Sequence, residues 1–278
     1  MNNIKLEINM KLLSPLSHFG DERLGTMQIM RTNKFLYNDE FIDIPVYSGN
    51  AFRGQLRRIM MRDYLDKLDI TGEGISEKLY YTLFTGGSLV GGSRYEEVGD
   101  RLHLRAMCPP LAILGTALGD QILQGKMKSA IFIPICKETT DYTGKENDTS
   151  FYDMLEDIFY TRKDDLKSVT YNIQNEEEKK KKDNPVQMKY EQQCLSAGTE
   201  LTGTIVIENC NQVEESLINA TLKKLEEVPF IGGKSSAGHG KVDLEYRDLE
   251  DVDTYYNYLA ENKEEIRDWI RKVEKELK

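Results

Sequence analysis

Residues 44–58 read IPVYSGNAFRGQLRR and predict where the first helix of the fold begins. Asn50 is a good N-cap, because its side chain can accept a hydrogen bond from a backbone N–H group of the first turn. A helix from Ala51 to about Leu68 follows, with apolar residues at helical spacing. These residues are Phe52, Leu56, Ile59 and Met60. The pattern predicts an amphipathic helix with one cationic flank.

Three arginines on this flank need anionic partners or solvent. Arg58 has Asp63 and Asp66 close by in sequence, whereas Arg53 and Arg57 have no acidic residue three or four positions away. We therefore predict that Arg53 and Arg57 are the better phosphate ligands, since the planar guanidinium matches phosphate geometry. The free N–H groups at the helix start, next to Asn50, also favour an anion.

Outward from this helix, the strongest patterns predict an α+β fold. Period-two alternation over 3–13 indicates a strand, the apolar run 126–136 indicates a strand buried on both faces, and strands are also predicted over 200–208 and 240–247. Residues 212–226 carry a helical pattern. The resulting order is β-α-β-β-α-β, that of a modified ferredoxin-like (RRM-like) domain.

The remaining segments are read as additions to this domain. Helices are predicted over 75–84 and in CPPLAILG, whereas RLHLRAM (101–107) alternates and reads as a polar strand face. VQMKYEQQCLSAGTELTGTIVIEN reads as two strands around a turn at Ala197 and Gly198. Residues 249–278 are predicted to form one acidic helix, and NEEEKKKKDNP cannot bury itself.

Charge and cysteine content limit which partners, compartment and cofactors are expected. The net charge is −10, but residues 1–136 carry 16 Lys and Arg against 15 Asp and Glu, so the acidic excess lies in the second half. A basic face on the first half is therefore permitted. Four scattered cysteines, no apolar run of membrane-spanning length and no signal peptide predict a cytoplasmic protein without a membrane partner. No cofactor and no metal site are expected, because the cysteines and histidines do not cluster.

The main-chain N–H groups of the Gly-rich stretch GGKSSAGHGK (232–241) can face an anion such as a nucleic-acid backbone, or the stretch can be only a turn that leads into a strand. It is not a nucleotide-hydrolase P-loop, because Val228 stands where that motif requires glycine and a strand follows instead of a helix. His18 and His239 lie at strand ends that could be adjacent. They could serve as acid and base in RNA cleavage, or they could simply form local hydrogen bonds.

Four segments together resemble the backbone subunits of the CRISPR-associated RAMP superfamily. They are SPLSHFG, IPVYSGNAFRGQLRR, CLSAGTELTGTIVI and FIGGKSSAGHGKV, in that order. The resemblance implies a ferredoxin-like palm (1–248) with a finger insertion at about 70–125 and a thumb-like insertion at about 137–190. It also implies copies stacked along a CRISPR RNA, each holding about six nucleotides, together with other effector subunits and a complementary target nucleic acid.

The resemblance also implies roles for individual residues. Arg53, Arg57 and Arg58 fall where the first helix is expected to contact RNA phosphates. The residues expected to contribute from the loops and the helix start are His18, Arg31, Asn33, Lys34, Asn50, Gly232, Gly233, Lys234, Ser235 and His239.

Target-cleaving relatives are expected to carry an aspartate between the first strand and the first helix. Here that stretch reads LGTMQIMRTNK, without a carboxylate, so a subunit that does not cleave its target is predicted. Two alternatives stay open. One is a metal-independent endoribonuclease of the same superfamily that processes CRISPR RNA with His18 or His239 as base. The other is a ferredoxin-like protein without RNA function, in which Arg53 and Arg57 pair internally.

Overall fold

The computed structural model describes residues 2–70, 74–87, 98–118, 121–162 and 188–277. Its strands, numbered in chain order, are β1 (Asn2–Leu12), β2 (Phe19–Leu24), β3 (Met27–Met30), β4 (Thr32–Tyr37), β5 (Glu40–Pro45), β6 (Thr116–Leu118), β7 (Gln121–Leu123), β8 (Met127–Ser129), β9 (Ile133–Pro134), β10 (Leu155–Arg162), β11 (Met188–Leu195), β12 (Glu200–Cys210) and β13 (Val242–Tyr246).

The α-helices are α1 (Gly49–Lys67), α2 (Glu77–Tyr80), α3 (Val98–Met107), α4 (Pro109–Leu114), α5 (Thr140–Thr143), α6 (Gln212–Glu227), α7 (Asp253–Glu261) and α8 (Lys263–Leu277). A π-helical segment, Tyr81–Thr85, extends α2. Short 3-10 turns cover Lys137–Thr139, Phe151–Met154 and Ser235–Ala237.

The central sheet has the order β13-β1-β12-β8, with β9 also paired to β12, and these pairings are antiparallel. Taking β1, β8, β12 and β13 as the four strands expected from sequence, their order across the sheet is fourth, first, third, second. The α+β prediction is confirmed, and this order is compatible with a ferredoxin-like palm. The other described strands form a second sheet, β10-β11-β3-β2, and two hairpins, β4–β5 and β6–β7.

Strand β1 shows why the sheet forms where it does. Its alternate side chains, Ile4, Leu6, Ile8, Met10 and Leu12, are all buried, while the intervening charged residues face outward. Helices α1 and α6 contact each other, α1 also contacts β8, and their buried residues share one hydrophobic core with those of β1. A capping box, in which Asn211 and Glu214 exchange hydrogen bonds of 2.8 and 3.0 Å, determines where α6 begins.

The N-cap of α1 is a different residue from the one predicted. Ser48, not Asn50, is the N-cap: its hydroxyl accepts from the Ala51 N–H at 3.2 Å, and Asn50 is an exposed residue of the first turn. Gly49 explains the shift, because a Cβ there would lie 2.3 Å from the Ala130 carbonyl oxygen. The helix therefore starts where only glycine fits against the end of β8.

The prediction of one continuous strand over 126–136 is wrong. The chain forms two short strands, β8 and β9, instead. Between them, Phe132 pairs with Tyr47 and not with β12, through two backbone hydrogen bonds of 3.0 and 2.8 Å. Lys128 and Ala130 are exposed, so this edge of the sheet is not buried on both faces. The exchange ties the residues before α1 to the sheet.

Two further predictions of secondary structure are wrong. RLHLRAM lies in α3, where Leu104 is buried and Leu102 is exposed. The C-terminal segment forms two helices, with the Asn262 N–H and side chain both bonded to the Tyr258 carbonyl oxygen at the break. The predicted turn at Ala197 and Gly198 is present, but it joins strands of different sheets.

The proposed insertions are described in part. Residues 71–73, 88–97 and 119–120 of the finger and 163–187 of the thumb-like insertion, including the lysine run, lie outside the described residues. The palm, finger and thumb boundaries stay predictions. Within the described residues, no helix is long and apolar enough to cross a lipid bilayer.

Candidate nucleic-acid interface

Three of the four segments quoted above meet at one place, here called the motif junction: residues 14–18, 47–58 and 230–240. The Gly233 N–H donates to the Ser17 carbonyl oxygen at 2.8 Å, and the Gln55 side chain donates to the Phe230 carbonyl oxygen at 3.1 Å. Segments more than 170 residues apart in sequence therefore build one continuous surface.

His18 holds two parts of the junction together. Its Nε2 accepts a hydrogen bond from the Ser48 N–H at 3.2 Å, and its ring meets that of Tyr47 edge-on, with 5.0 Å between centroids. Burial, with a smaller contribution from the Arg31 charge, lowers the pKa of His18 to about 4. The imidazole is thus neutral at pH 7 and acts as an acceptor at the start of α1.

His239 is buried in a different set of contacts. Its Nδ1 lies 2.7 Å from the Ser17 hydroxyl, and its Nε2 is hydrogen-bonded to the Tyr160 hydroxyl. Burial and the Lys234 charge lower its pKa below the usual value. The two histidines therefore bind different partners, and no described hydrogen bond joins their rings. This arrangement matches local structural bonding more closely than a paired acid and base.

The arginines of α1 divide in a way that reverses the ranking predicted from sequence. Arg57 is buried and donates to three carbonyl oxygens, those of Leu83 at 3.2 Å, Leu114 at 3.0 Å and Gly115 at 2.9 Å. Arg53 is half-buried and also donates to the Leu114 carbonyl oxygen. Both guanidinium groups donate to the protein's own backbone, which favours Arg58 over them as a phosphate ligand; contact of Arg53 and Arg57 with RNA stays a prediction.

Burial explains the electrostatics of this pair. It lowers the pKa of Arg57 to about 10, with a smaller contribution from the Arg53 charge, and it also lowers the pKa of Arg53. Backbone carbonyl oxygens carry only partial negative charge, so they stabilise the guanidinium through hydrogen bonds without neutralising it. The pair holds the end of α4 against α1.

Arg58, by contrast, is exposed, with its Nη2 donating to the Gln55 side chain at 2.9 Å. Burial raises the pKa of Tyr47 to about 12, and a hydrogen bond with the Gly232 backbone and the nearby charge of Arg58 act in the opposite direction. Arg58 and Gly232 therefore both lie near Tyr47. Among the three arginines, Arg58 is the one that reaches the surface formed by the motifs.

The Gly-rich loop is shaped by left-handed backbone. Gly232 has a φ of 72°, and a Cβ there would lie 2.6 Å from the Ser17 carbonyl oxygen. Gly232, Gly233 and Ser235 are exposed. Lys234 is half-buried: its Nζ donates to the Gln192 side chain and lies 5.3 Å from the centroid of the Tyr160 ring. The loop thus exposes main chain, while its lysine turns toward β10 and β11.

The other predicted contacts flank the junction. Arg31, between β3 and β4, is exposed, and its backbone N–H donates to the His18 carbonyl oxygen at 2.8 Å. Asn33 is half-buried and Lys34 exposed on β4, opposite Ile44 and Asp43 of β5. Their contact with RNA stays a prediction, as does that of Asn50.

Sequence reasoning missed a buried polar network beneath the junction. Ser17, Gln192, Cys194 and His239 are all buried, and the Gln192 side chain donates to the Ser17 hydroxyl at 3.2 Å. Alternation in MKYEQQCL places Gln192 and Cys194 on one face of β11, which could have indicated their burial. Within the described residues, no group of three or more His, Cys, Asp or Glu side chains is placed to hold a metal.

Comparison with known proteins identifies the family. The chain has 19% sequence identity and a TM-score of 0.63 to a chain of a structure entitled "Type IV-B CRISPR Complex", with 89% of this chain and 92% of that chain covered. At this identity the likeness concerns the fold. Comparison with curated proteins gives no match. The family model described as "RAMP superfamily" matches residues 11–243. The chain therefore belongs to the RAMP superfamily.

Proposed function

We propose that this protein is a CRISPR RNA-binding backbone subunit. In this proposal several copies assemble along a guide RNA in the cytoplasm, with other effector subunits, and present the guide to a complementary target nucleic acid without cleaving that target. Membership of the RAMP superfamily and a fold like that of a chain from a CRISPR complex support the role.

The observation that carries the proposal is the motif junction. It combines exposed backbone at Gly232 and Gly233, an exposed guanidinium at Arg58 and the exposed start of a helix at Asn50. A helix N-terminus and arginine are groups that proteins use to bind phosphates, whereas the Gly233 N–H is already bonded to the Ser17 carbonyl oxygen. Arg31 adds a second exposed cation, joined to the junction through the backbone of His18.

The lack of a carboxylate in residues 24–34 supports the non-cleaving part of the proposal. Asp21 lies on β2, before this stretch, and Asp39 lies in the turn between β4 and β5, after it. The processing-nuclease alternative is less favoured, because both histidines are neutral and form hydrogen bonds with neighbouring protein groups: His18 with Ser48, and His239 with Ser17 and Tyr160. The alternative without RNA function is favoured by one observation, the internal bonding of Arg53 and Arg57.

Expression together with a CRISPR array tests the proposal. The purified protein would be analysed for absorbance ratio, for extracted RNA and for particle size. We expect guide-length RNA in a particle much larger than a monomer. An RNA-free monomer that cuts repeat RNA without metal would favour the nuclease, and an RNA-free inert monomer would favour the third alternative.

A charge-reversal pair identifies the surface. The double variant Arg31→Glu, Arg58→Glu should lose RNA, because each lost phosphate contact weakens binding and lowers the slope of log affinity against log salt by about 0.7 for single strands. The matched control is Lys5→Glu, Arg62→Glu, which makes the same charge change at exposed positions on β1 and later on α1. Equal RNA loss in both variants would contradict the assignment of the junction.

A further inference from the structure

Helices α7 and α8 together form an element here called the C-terminal strap, residues 253–277. Its first helix is attached to the core of the fold. α7 contacts α1 and α6, its Tyr255 and Leu259 are buried, and the Tyr255 N–H donates to the Ser216 hydroxyl at 3.0 Å. Its second helix, α8, contacts α2 and α3, which lie in the predicted finger insertion. The strap therefore joins the finger to the core.

A single apolar stripe attaches α8 to the rest of the protein. Ile266 and Ile270, four residues apart and so on one side of the helix, are buried. Trp269 and Val273 are half-buried and pack against the same core. The exposed residues of α8 are charged: Glu264, Glu265, Asp268, Arg271, Lys272, Lys275 and Glu276. Few buried apolar side chains hold this helix in place.

Polar contacts join the first half of α8 to the end of α1. The Arg267 guanidinium donates to the Leu68 carbonyl oxygen at 2.9 Å, and Leu68 is the C-cap of α1. The carbonyl groups at the end of a helix lack partners within the helix, so a side-chain donor there satisfies one of them. Lys263 forms an ion pair with Asp69, the next residue. These contacts determine where α8 begins on the surface.

The other half of α8 holds the start of α2. The Glu274 carboxylate accepts a hydrogen bond of 2.6 Å from the N–H of Ser76, the residue directly before α2. Helix α3 is bonded to α7 in turn, because the Tyr258 hydroxyl donates to the Ala106 carbonyl oxygen at 2.8 Å. Both α2 and α3 are therefore bonded to the strap.

The far end of the segment that begins with α2 is held without the strap. Arg57 of α1 donates to the Leu83 carbonyl oxygen at 3.2 Å. Gly87 has a φ of 73°, and a Cβ there would lie 2.0 Å from the carbonyl oxygen of Ala117 in β6. The start of this segment thus depends on α8, and its end depends on α1 and β6.

We propose that the C-terminal strap is a releasable clamp that positions residues 74–87 of the finger against α1. When the clamp opens, α8 and residues 74–81 leave the surface together and pivot about the Leu83 contact, while the central sheet stays folded. Parts of a protein that are held by few buried apolar contacts open at lower free energy than the core. The position of the finger is thereby controlled by a helix from a distant part of the sequence.

Native-state hydrogen exchange of the full-length protein at pH 7, followed by mass spectrometry, tests this proposal. Arg267→Ala removes the bond to the end of α1 and leaves the Glu274 carboxylate in place. The matched control is Arg271→Ala, because Arg271 is exposed on the same helix and pairs with Asp268 of that helix. Exchange is compared among α8, residues 74–81 and the central strands β1 and β12.

In the unchanged protein we expect α8 and residues 74–81 to exchange at similar opening free energies and faster than β1 and β12. Arg267→Ala should quicken exchange in both segments by the same factor, about 3- to 30-fold, the effect of one hydrogen bond from a partly exposed charged group. Arg271→Ala should change it by less than about twofold.

Two results would overturn the proposal. In the first, Arg267→Ala quickens exchange in α8 and leaves residues 74–81 at their original rate, which would mean that the two segments open independently. In the second, α8 of the unchanged protein exchanges as slowly as β1, which would mean that the strap opens only when the whole fold does.

Discussion

Replacing Arg57 with alanine separates an internal anchor from a phosphate ligand. The substitution removes a buried guanidinium, leaves the carbonyl oxygens of Leu83 and Gly115 without this donor, and leaves that of Leu114 with Arg53 as its remaining side-chain donor. The consequence is a loss of folding stability that occurs with or without RNA. A phosphate ligand would show the opposite pattern, with weaker RNA binding and unchanged stability.

The magnitude follows from the three hydrogen bonds. A hydrogen bond that involves a charged group contributes about 1.5–3 kcal/mol net. Burial of the charge and repulsion from Arg53, which already lower the pKa of Arg57 to about 10, offset part of this gain. We therefore expect Arg57→Ala to lower the free energy of unfolding by about 3–5 kcal/mol, a large part of the roughly 5–15 kcal/mol typical of a domain.

Urea unfolding followed by circular dichroism at pH 7 measures this loss. Arg58→Ala is the matched control, because it removes the same side chain from the next, exposed position and should change stability by less than about 0.5 kcal/mol. If Arg57→Ala does not fold, Arg57→Lys keeps the charge but not the fork of donors, and it should still be clearly destabilised. An Arg57→Ala variant as stable as the unchanged protein, yet unable to bind RNA, would refute the reasoning.

Two further predictions concern the same junction. Gly49→Ala places a Cβ 2.3 Å from the Ala130 carbonyl oxygen and should lower the free energy of unfolding, measured in urea, by about 1–3 kcal/mol. Gly54→Ala is on the same helix, and its Cβ would have nothing within 4 Å, so it should stabilise the protein by about 0.5–1 kcal/mol. Equal effects of the two substitutions would contradict the close approach at Gly49. Because the pKa of His18 is about 4 when folded and 6.5 when unfolded, the unfolded chain binds more protons between these values, so stability is full above about pH 6.5 and falls toward pH 4. His18→Gln keeps an acceptor for the Ser48 N–H. Between pH 7 and 4.5 its free energy of unfolding should fall by on the order of 1–2 kcal/mol less than that of the unchanged protein, a difference reduced for the partial exposure of His18. Equal losses of stability in the two proteins would count against a neutral His18.

The elements with strong local patterns were predictable from sequence. Alternation in β1 and helical spacing in α1 and α6 each reflect one face turned to the core, and this information lies within a few neighbouring residues. The α+β class followed from the order of these elements. The resemblance to the RAMP superfamily was also carried by short segments, and it is confirmed over residues 11–243.

Local pattern failed where partners from distant segments decide the outcome. Alternation in RLHLRAM predicted a strand, yet Leu104 is buried in a helix that contacts α8, while Leu102 is exposed. Asn50 was a suitable N-cap by residue type, but the contact of Gly49 with Ala130 starts the helix earlier, at the Ser48 cap. In both cases the deciding neighbour lies far away in sequence.

By itself, then, the sequence determined the fold class, the family segments and the position of three arginines near the start of one helix. Only the tertiary structure decided which arginine is free to meet a ligand. The π-helical segment after α2 and the end of α4 cover Arg57 with carbonyl oxygens from residues 26 to 58 positions away, while Arg58, one residue later, is exposed. Exposure depends on what packs against each face of a helix, and that packing is set by the whole chain.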